Sequence, residues 1–154
     1  MQRSDANIEN LNIKLEQLTL KTAKSDVLNK YDDSFKPEDL KIILFNFSDL
    51  DYHESLSAKT IGVLSDEIKD HFKGSNIFIA LANNISHKPV IIFNASKDLV
   101  ARGINCSTIA KEVGKIIGGG GGGKPDFAQS GGSDYKLIEK AFDSLSENLK
   151  NVLK

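Results

Sequence analysis

Residues 77–95 of this chain read IFIALANNISHKPVIIFNA. The two apolar runs, Ile77–Ala82 and Val90–Ala95, are rich in the β-branched and aromatic residues that favour strands. Only the short stretch from Asn83 to Lys88 separates them, whereas a parallel crossover needs about a dozen residues or more. The sequence therefore predicts an antiparallel β-hairpin here, around which the other elements must be arranged.

The apolar spacing on both sides of the hairpin predicts one more strand and three helices. In chain order these are a buried strand at 41–47 (KIILFNF), a helix from Ser57 to Phe72 stopped by Gly74, a helix capped by Ser107 and ending at Ile117, and a helix after Ser133. We therefore expect an α+β fold, with a small sheet, mostly antiparallel or mixed, covered by helices.

A polar helix is predicted before this body, over residues 5–29. Its apolar residues follow a 3-4-3 spacing, which is typical of a short coiled-coil seam: Ile8, Leu11, Leu15 and Leu18. Such a seam suits the end of a coiled coil, an arm packed on the body or a partner-binding helix. The periodicity breaks before Pro37, so we divide the chain into a helical arm and linker (1–36) and a globular domain (37–154).

Composition excludes several classes of protein. The chain has 154 residues, 40% of them hydrophobic and 27% charged, with a formal net charge of -1, which fits one ordinary globular domain. No apolar stretch approaches the roughly 18 residues of a membrane span. The single Cys106 excludes a disulfide framework and indicates a reducing cytoplasm. The three histidines, His53, His71 and His87, lack metal-ligand spacing.

Positive charge is concentrated in one segment. Residues 99–124 carry four basic side chains against the single acidic Glu112, while the rest of the chain is mildly negative. A nucleic-acid partner needs such a local patch when the net charge is near zero. Lysines scattered over the surface would give the same counts of basic and acidic residues, so charge alone does not identify the partner.

The positive segment ends in the run GGGGGGKPDFAQSGG, residues 118–132, which holds eight of the twelve glycines. Six consecutive glycines suit a flexible linker, but the varied residues that follow them indicate a shaped site. Glycine amides can form a concave nest for a phosphate. The match to a nucleotide-binding P-loop fails, because Pro125 stands where a magnesium-ligating Ser or Thr is needed.

The order of residues in this run resembles the glycine-rich signature in the C-terminal domain of alanyl-tRNA synthetase. In that family a glycine run leads into a basic residue, Pro-Asp, an apolar residue, Ala-Gln, a small residue and Gly-Gly. Ser96, Lys97 and Asp98, which follow a predicted strand, fit the same pattern, as does the polar helix before the body. Lys124 departs from it, since that position usually holds Arg, and the bidentate phosphate contact is thereby lost.

The resemblance implies an auxiliary module that binds tRNA-Ala at its elbow and helps couple aminoacylation with editing, together with the other domains of the parent synthetase. ATP, Mg and Zn would belong to upstream domains, so we expect no cofactor, metal or catalytic activity in this chain, which we take to be an excised piece. One alternative is a dimerisation module through residues 8–18. Another is the substrate-holding domain of a DHH-type phosphoesterase, although this chain has no Asp-His-His triplet and no His after the glycines.

Candidate site residues follow from the tract and its basic surroundings. The candidate nucleic-acid contacts are Lys97, Arg102, Lys111, Lys115, Gly118, Gly119, Gly120, Gly121, Gly122, Gly123, Lys124 and Gln129. The residues expected to shape the loop are Pro125, Asp126, Phe127, Gly131 and Gly132. We expect Phe127 to insert into the protein's own core, with stacking on an exposed base as the alternative. Asp126 and Gln129 are expected to hydrogen-bond the backbone of the loop.

Overall fold

A computed structural model describes residues 2–31, 40–73 and 76–152, with the side chains of residues 2–9 and 12 left aside. Its helices are α1 (Gln2–Tyr31), α2 (Ala58–His71), α3 (Lys97–Ala101), α4 (Cys106–Ile116) and α5 (Ile138–Val152), and its strands are β1 (Lys41–Asn46), β2 (Ile77–Ile85), β3 (Lys88–Ala95), β4 (Gly120–Gly123) and β5 (Phe127–Gly131). The predicted breaks at Pro37 and Gly74 and the side chain of Ile8 lie outside the described residues.

The strands form one mixed sheet in the order β1-β2-β3-β5-β4. Strands β1 and β2 are parallel and are joined through α2, whereas the other three pairs are antiparallel. This arrangement confirms the predicted α+β fold with a mixed sheet covered by helices and preceded by a helix. Among the described residues, no helix is both long and apolar enough to cross a membrane.

The predicted hairpin is present, but its turn is shorter than expected. Ser86 and His87 have φ values of 54° and 66°, which are typical of a two-residue type I′ turn. Asn83 therefore continues β2 into the core, where its amide nitrogen donates to the carbonyls of His53 (2.6 Å) and Leu56 (3.0 Å). The sequence analysis assigned Asn83 to the turn because it is polar, and its hydrogen-bond partners, His53 and Leu56, are distant in sequence.

Both faces of the central strands are covered. Alternate side chains of β2 and β3 pack on one side against α4 and α5, through Phe78, Ala80, Ala82, Ile91, Phe93 and Ala95. The intervening side chains pack on the other side against α1 and α2, through Ile77, Ile79, Leu81, Val90 and Ile92. Burial on both faces explains why these strands read as continuous apolar runs rather than as an alternating pattern.

The burial of helix α1 differs between its first and its last turns. Ala23 and Val27 are fully buried in the apolar cluster that α1 shares with α2 and the sheet, and the Tyr31 hydroxyl donates to the carbonyl of Leu44 at 2.7 Å. The earlier turns leave the seam leucines at about 60% exposure: 58% for Leu11, 60% for Leu15 and 61% for Leu18. The last turns of the predicted arm thus pack on the body, and the division at residue 37 stays a prediction.

Helix α4 leads directly into the glycines. Asn105, not the predicted Ser107, is its N-cap, because the Asn105 side chain accepts from the Thr108 amide at 3.2 Å. At the other end, Gly118 has φ +82° and its amide donates to the Lys115 carbonyl, while the next amide donates to Gly114. This pattern is a Schellman motif, which requires a left-handed residue after the helix. The first glycine of the run therefore ends α4.

Candidate nucleic-acid interface

The glycine run forms a strand instead of the predicted concave nest. Gly120–Gly123 make up β4, which pairs with β5 at the edge of the sheet. An edge strand directs alternate backbone N–H and C=O groups away from its neighbour. The tract thus presents main-chain donors along a sheet edge.

One face of this hairpin packs directly against the backbone of α4. A Cβ on Gly121 would lie 2.4 Å from the Ala110 carbonyl oxygen, and a Cβ on Gly114 would lie 2.4 Å from the carbonyl carbon of Gly120. Ser130 on β5 fixes the same contact, because its hydroxyl donates to the Ala110 carbonyl at 2.6 Å. Glycine is required on this packed face because two backbones meet without side chains between them.

On the opposite face of the hairpin, the packing does not require glycine. A Cβ on Gly120, Gly122 or Gly131 would meet no atom within 4 Å, and none of the three has a positive φ. The register places them beside the exposed Gln129, on the side of the sheet that α2 covers only over the inner strands. We call Gly120, Gly122, Gln129 and Gly131 the open face.

A tight turn closes the hairpin at Lys124–Phe127. The Lys124 amide donates to the Phe127 carbonyl at 2.8 Å, and the Phe127 amide donates back at 3.3 Å. The carbonyls of Pro125 and Asp126 accept from the amides of Cys106 and Ala95, so the turn is tied to α4 and β3. Lys124 is exposed at this anchored corner.

The shaping roles predicted for two side chains differ from what the structure shows. Asp126 anchors the turn through its main-chain carbonyl, and within the described ranges neither its carboxylate nor the Gln129 amide makes a hydrogen bond to the loop backbone. At Gly132, a Cβ would lie 2.3 Å from the Ile117 carbonyl oxygen, so the packing leaves room only for glycine there.

Phe127 does not enter the core as expected. It remains 36% exposed, and its ring tip lies against α2, 3.4 Å from where a Cβ on Gly62 would be. The alternation of β5 explains this position, since Ala128 and Ser130 take the buried side and Phe127 must face the other way. The ring is therefore partly accessible at the surface, and the alternative expectation, stacking on an exposed base, stays a prediction.

The predicted basic residues lie at different distances from the tract. Lys111 and Lys115 are exposed, and each follows a residue of α4 on which the glycine strand rests, Ala110 or Gly114. Lys97 begins α3, just after the strand end that holds the turn. Arg102 ends α3 beside Gly103, which faces α5, so no described contact brings it to the glycines.

A cleft of about 500 Å³ opens between α2 and the turn, and it contains three residues that sequence reasoning missed: Asp66, Lys69 and Asn94. Asn94 is 1% exposed and its amide nitrogen donates to Asp66 Oδ1 at 2.8 Å. Lys69 Nζ donates to Asn94 Oδ1 at 3.3 Å. The one available signal was a polar Asn inside the apolar strand VIIFNA.

The thiol of Cys106 is buried behind this turn. Burial raises its pKa from 9.0 to about 12, with a smaller increase from the Asp126 carboxylate and an opposing decrease from the Lys69 ammonium. A thiol held in its neutral form is a poor nucleophile. Across the described ranges, no three His, Cys, Asp or Glu side chains are grouped so that they could hold a metal ion.

Comparison with known proteins places the chain in a family. Residues 40–154 match the DHHA1 domain. An alanine–tRNA ligase of Clostridioides difficile (strain 630) is 30% identical over 146 residues, which cover 95% of this chain and 16% of that protein. One from Thermoanaerobacter sp. (strain X514) is 34% identical over 141 residues, covering 89% and 15%. The chain thus spans a small part of these curated relatives.

A solved structure gives the same result. The C-Ala domain from Aquifex aeolicus alanyl-tRNA synthetase superposes with a TM-score of 0.55 at 25% identity, and the match covers 73% of this chain and 94% of that one. These matches confirm the resemblance found in the glycine-rich run. The chain belongs to the DHHA1 domain family, and its relatives include alanine–tRNA ligases.

Proposed function

We propose that this chain is a tRNA-binding module of an alanine–tRNA ligase, which contacts the elbow of tRNA-Ala with the open face and Lys124 and thereby helps couple aminoacylation with editing. The observation that carries the proposal is the open face itself. Its glycines meet no neighbouring atoms and need no special backbone conformation, so the fold gives no reason for them. A partner that must approach the main chain closely does give one.

The chemistry around the open face favours a nucleic-acid backbone as that partner. The outward N–H groups of β4 belong to Gly121 and Gly123, at the sheet edge beside the open face, and can donate to phosphate oxygens. The exposed Lys124 supplies a cation at the corner. Lys111 and Lys115 extend the positive charge along α4 behind the strand. Contacts of this kind recognise phosphate positions and RNA shape more than base sequence.

The test is fluorescence anisotropy of labelled tRNA-Ala, titrated with the protein at low and at physiological salt. The titration compares wild type with Lys124→Ala and, as a matched control, Lys150→Ala, which removes an exposed lysine from α5 on the other side of the sheet. An acceptor-stem minihelix serves as the RNA that lacks an elbow.

We expect salt-dependent binding to full tRNA and none to the minihelix. Lys124→Ala should weaken binding about three- to tenfold and reduce the slope of log Kd against log salt by about 1, while Lys150→Ala should leave both unchanged. Absence of binding at low salt, or equal binding to the minihelix, would refute the elbow contact.

A second candidate function, self-association, is favoured by the exposed leucines of α1. Leu11, Leu15 and Leu18 remain about 60% exposed on a helix whose later turns are packed. Contiguous apolar side chains on a surface mark interaction sites. A second copy of the same helix would match this spacing, as in a short antiparallel or parallel pair.

Sedimentation velocity distinguishes this candidate. The double variant Leu15→Gln, Leu18→Gln keeps Ala23 and Val27, which a deletion of the whole helix would remove from the core. A dimer in wild type that becomes a monomer in the variant would support self-association through the seam. A wild-type monomer at high concentration, or an unchanged dimer in the variant, would reject it.

A further inference from the structure

We propose that the cleft between α2 and the hairpin turn holds one unstacked guanine base of the bound RNA. The inference rests on the proposed function, because it names what the RNA places beside the open face. The cleft is lined by Asp66, Lys69, Asn94, Gly123, Lys124, Asp126 and Phe127. Its space of about 500 Å³ is in the range of small-ligand sites and accommodates a single nucleotide.

A buried amide fixes the polar floor of the cleft. Asn94 is held by Ser65 and Asp66 through its amide nitrogen and by Lys69 through its oxygen. A carboxylate and an ammonium are thereby anchored on opposite ends of one side chain. Within the described residues, Oδ2 of Asp66 has no hydrogen-bond partner, and Lys69 uses one of its three donors.

This floor complements the Watson–Crick edge of guanine. Guanine presents two donors, N1–H and the N2 amino group, next to the acceptor O6. A carboxylate accepts from both donors, and the neighbouring ammonium can donate to O6. The edge of uracil carries one donor between two acceptors, and adenine places a single amino group beside an unprotonated nitrogen, so neither satisfies Asp66 as fully.

The charge balance indicates a base and not a free phosphate in the cleft. Lys69 and Lys124 are offset by Asp66 and Asp126, all four of which line the same space. A phosphate would meet two carboxylates, and like charges in close proximity disfavour binding. A neutral ring with both donors and acceptors makes use of both signs.

Phe127 supplies the apolar wall. Its ring is partly exposed and is supported from behind by Gly62 of α2, which leaves room for the ring at that point of the helix. Stacking of a splayed base on an aromatic side chain stabilises single-stranded nucleic-acid complexes with little dependence on sequence. Lys124 lies only three residues before Phe127, at the corner beside the open face. The phosphate attached to the stacked base can therefore stay at that corner, outside the cleft.

The experiment titrates GMP, AMP, CMP, UMP and inorganic phosphate separately into the ¹⁵N-labelled chain and follows amide shifts by NMR. It is repeated with Asp66→Asn and with the control Asp70→Asn, which alters another exposed carboxylate of α2 outside the cleft. We expect GMP to shift the Asn94 and Gly123 amides with at least about fivefold higher affinity than UMP, since one good base-edge contact contributes about 1 kcal/mol or more.

The expected variant result is a loss of the GMP preference in Asp66→Asn and its retention in Asp70→Asn. Equal shifts from all four nucleotides, or shifts from phosphate alone, would overturn the guanine site. So would the absence of any shift at the cleft.

The tRNA titration separates this inference from the proposed function. If Asp66→Asn binds tRNA as tightly as wild type does and GMP causes no shifts, the guanine site in the cleft is rejected. The proposed RNA-binding role is then unaffected. GMP binding at the cleft without any affinity for tRNA would retain the base site and reject the elbow contact.

Discussion

The two faces of the glycine hairpin use the same residue type for opposite reasons. On the packed face, Gly121 rests on the Ala110 carbonyl with no room for a Cβ, whereas on the open face a Cβ at Gly122 would project into empty space. Two adjacent glycines are thus present for different reasons. Packing within the fold requires Gly121, whereas Gly122 calls for an explanation outside the fold, such as a binding partner.

The largest expected effect concerns the thiol that is buried behind the hairpin turn. Because the pKa of Cys106 is raised from 9.0 to about 12, its thiolate fraction at pH 8 is lowered about 1000-fold, and a thiol reagent should react far more slowly than with an exposed cysteine. The control is Thr108→Cys in a Cys106→Ser background. Equal labelling rates would mean that the turn covering Cys106 opens readily.

The same shift predicts a pH dependence. The folded protein holds the Cys106 proton to a higher pH than the unfolded chain does, so its contribution to stability is complete below pH 9 and is lost as the pH rises towards 12. Urea unfolding of wild type and Cys106→Ser across this range measures it, and a decline of the same size in both proteins would contradict it.

Gly121→Ala should lower the stability of the protein far more than Gly122→Ala does. Its Cβ would lie 2.4 Å from the Ala110 carbonyl oxygen, so β4 must separate from α4, and we expect the free energy of unfolding to fall by about 3 kcal/mol. Urea unfolding followed by circular dichroism measures the change. A loss below about 1 kcal/mol would show that the two backbones can move apart cheaply.

Ser130→Ala should have an intermediate effect. It removes the buried hydroxyl that donates to the Ala110 carbonyl at 2.6 Å, and we expect a loss of about 1 kcal/mol in the free energy of unfolding. Gln129→Ala, on the open face of the same strand, is the matched control and should change the unfolding free energy by less than about 0.5 kcal/mol. Equal losses in the two variants would erase the distinction between the faces.

Gly122→Ala should change stability least, by about 0.5 kcal/mol or less in either direction, because its methyl group meets no atom and its φ is not left-handed. Affinity for labelled tRNA should nevertheless fall about three- to tenfold, since the methyl group keeps the RNA backbone from the main chain. Unchanged affinity in a stable variant would remove the functional explanation of the open face.

Local patterns were sufficient to predict much of the fold. The antiparallel hairpin follows from two apolar runs separated by a short gap, and Ser57 is the N-cap of α2 because its hydroxyl accepts from the Thr60 amide. The predicted turn length and the predicted Ser107 cap of α4 were wrong, because polar residues near element ends have several local roles and only tertiary partners choose among them.

The candidate site was predictable only in part. The tract was found because eight glycines with one ordered set of neighbours are unusual, yet its conversion into a strand depends on α4, whose backbone it contacts. Asp66 and Asn94 were missed because 28 residues separate them, and their hydrogen bond exists only after α2 has packed on β3. Side chains that meet only when two elements pack together produce no recognisable spacing pattern in the sequence.

The edge position of β4 has a consequence for the behaviour of the protein in concentrated solution. An unpaired strand edge is a template on which a second chain can add, and branched or aromatic residues there promote fibre formation. Gly120–Gly123 is short and consists of a residue type that is poorly suited to a strand. The chain can therefore keep its main chain accessible to a partner without offering a surface for aggregation.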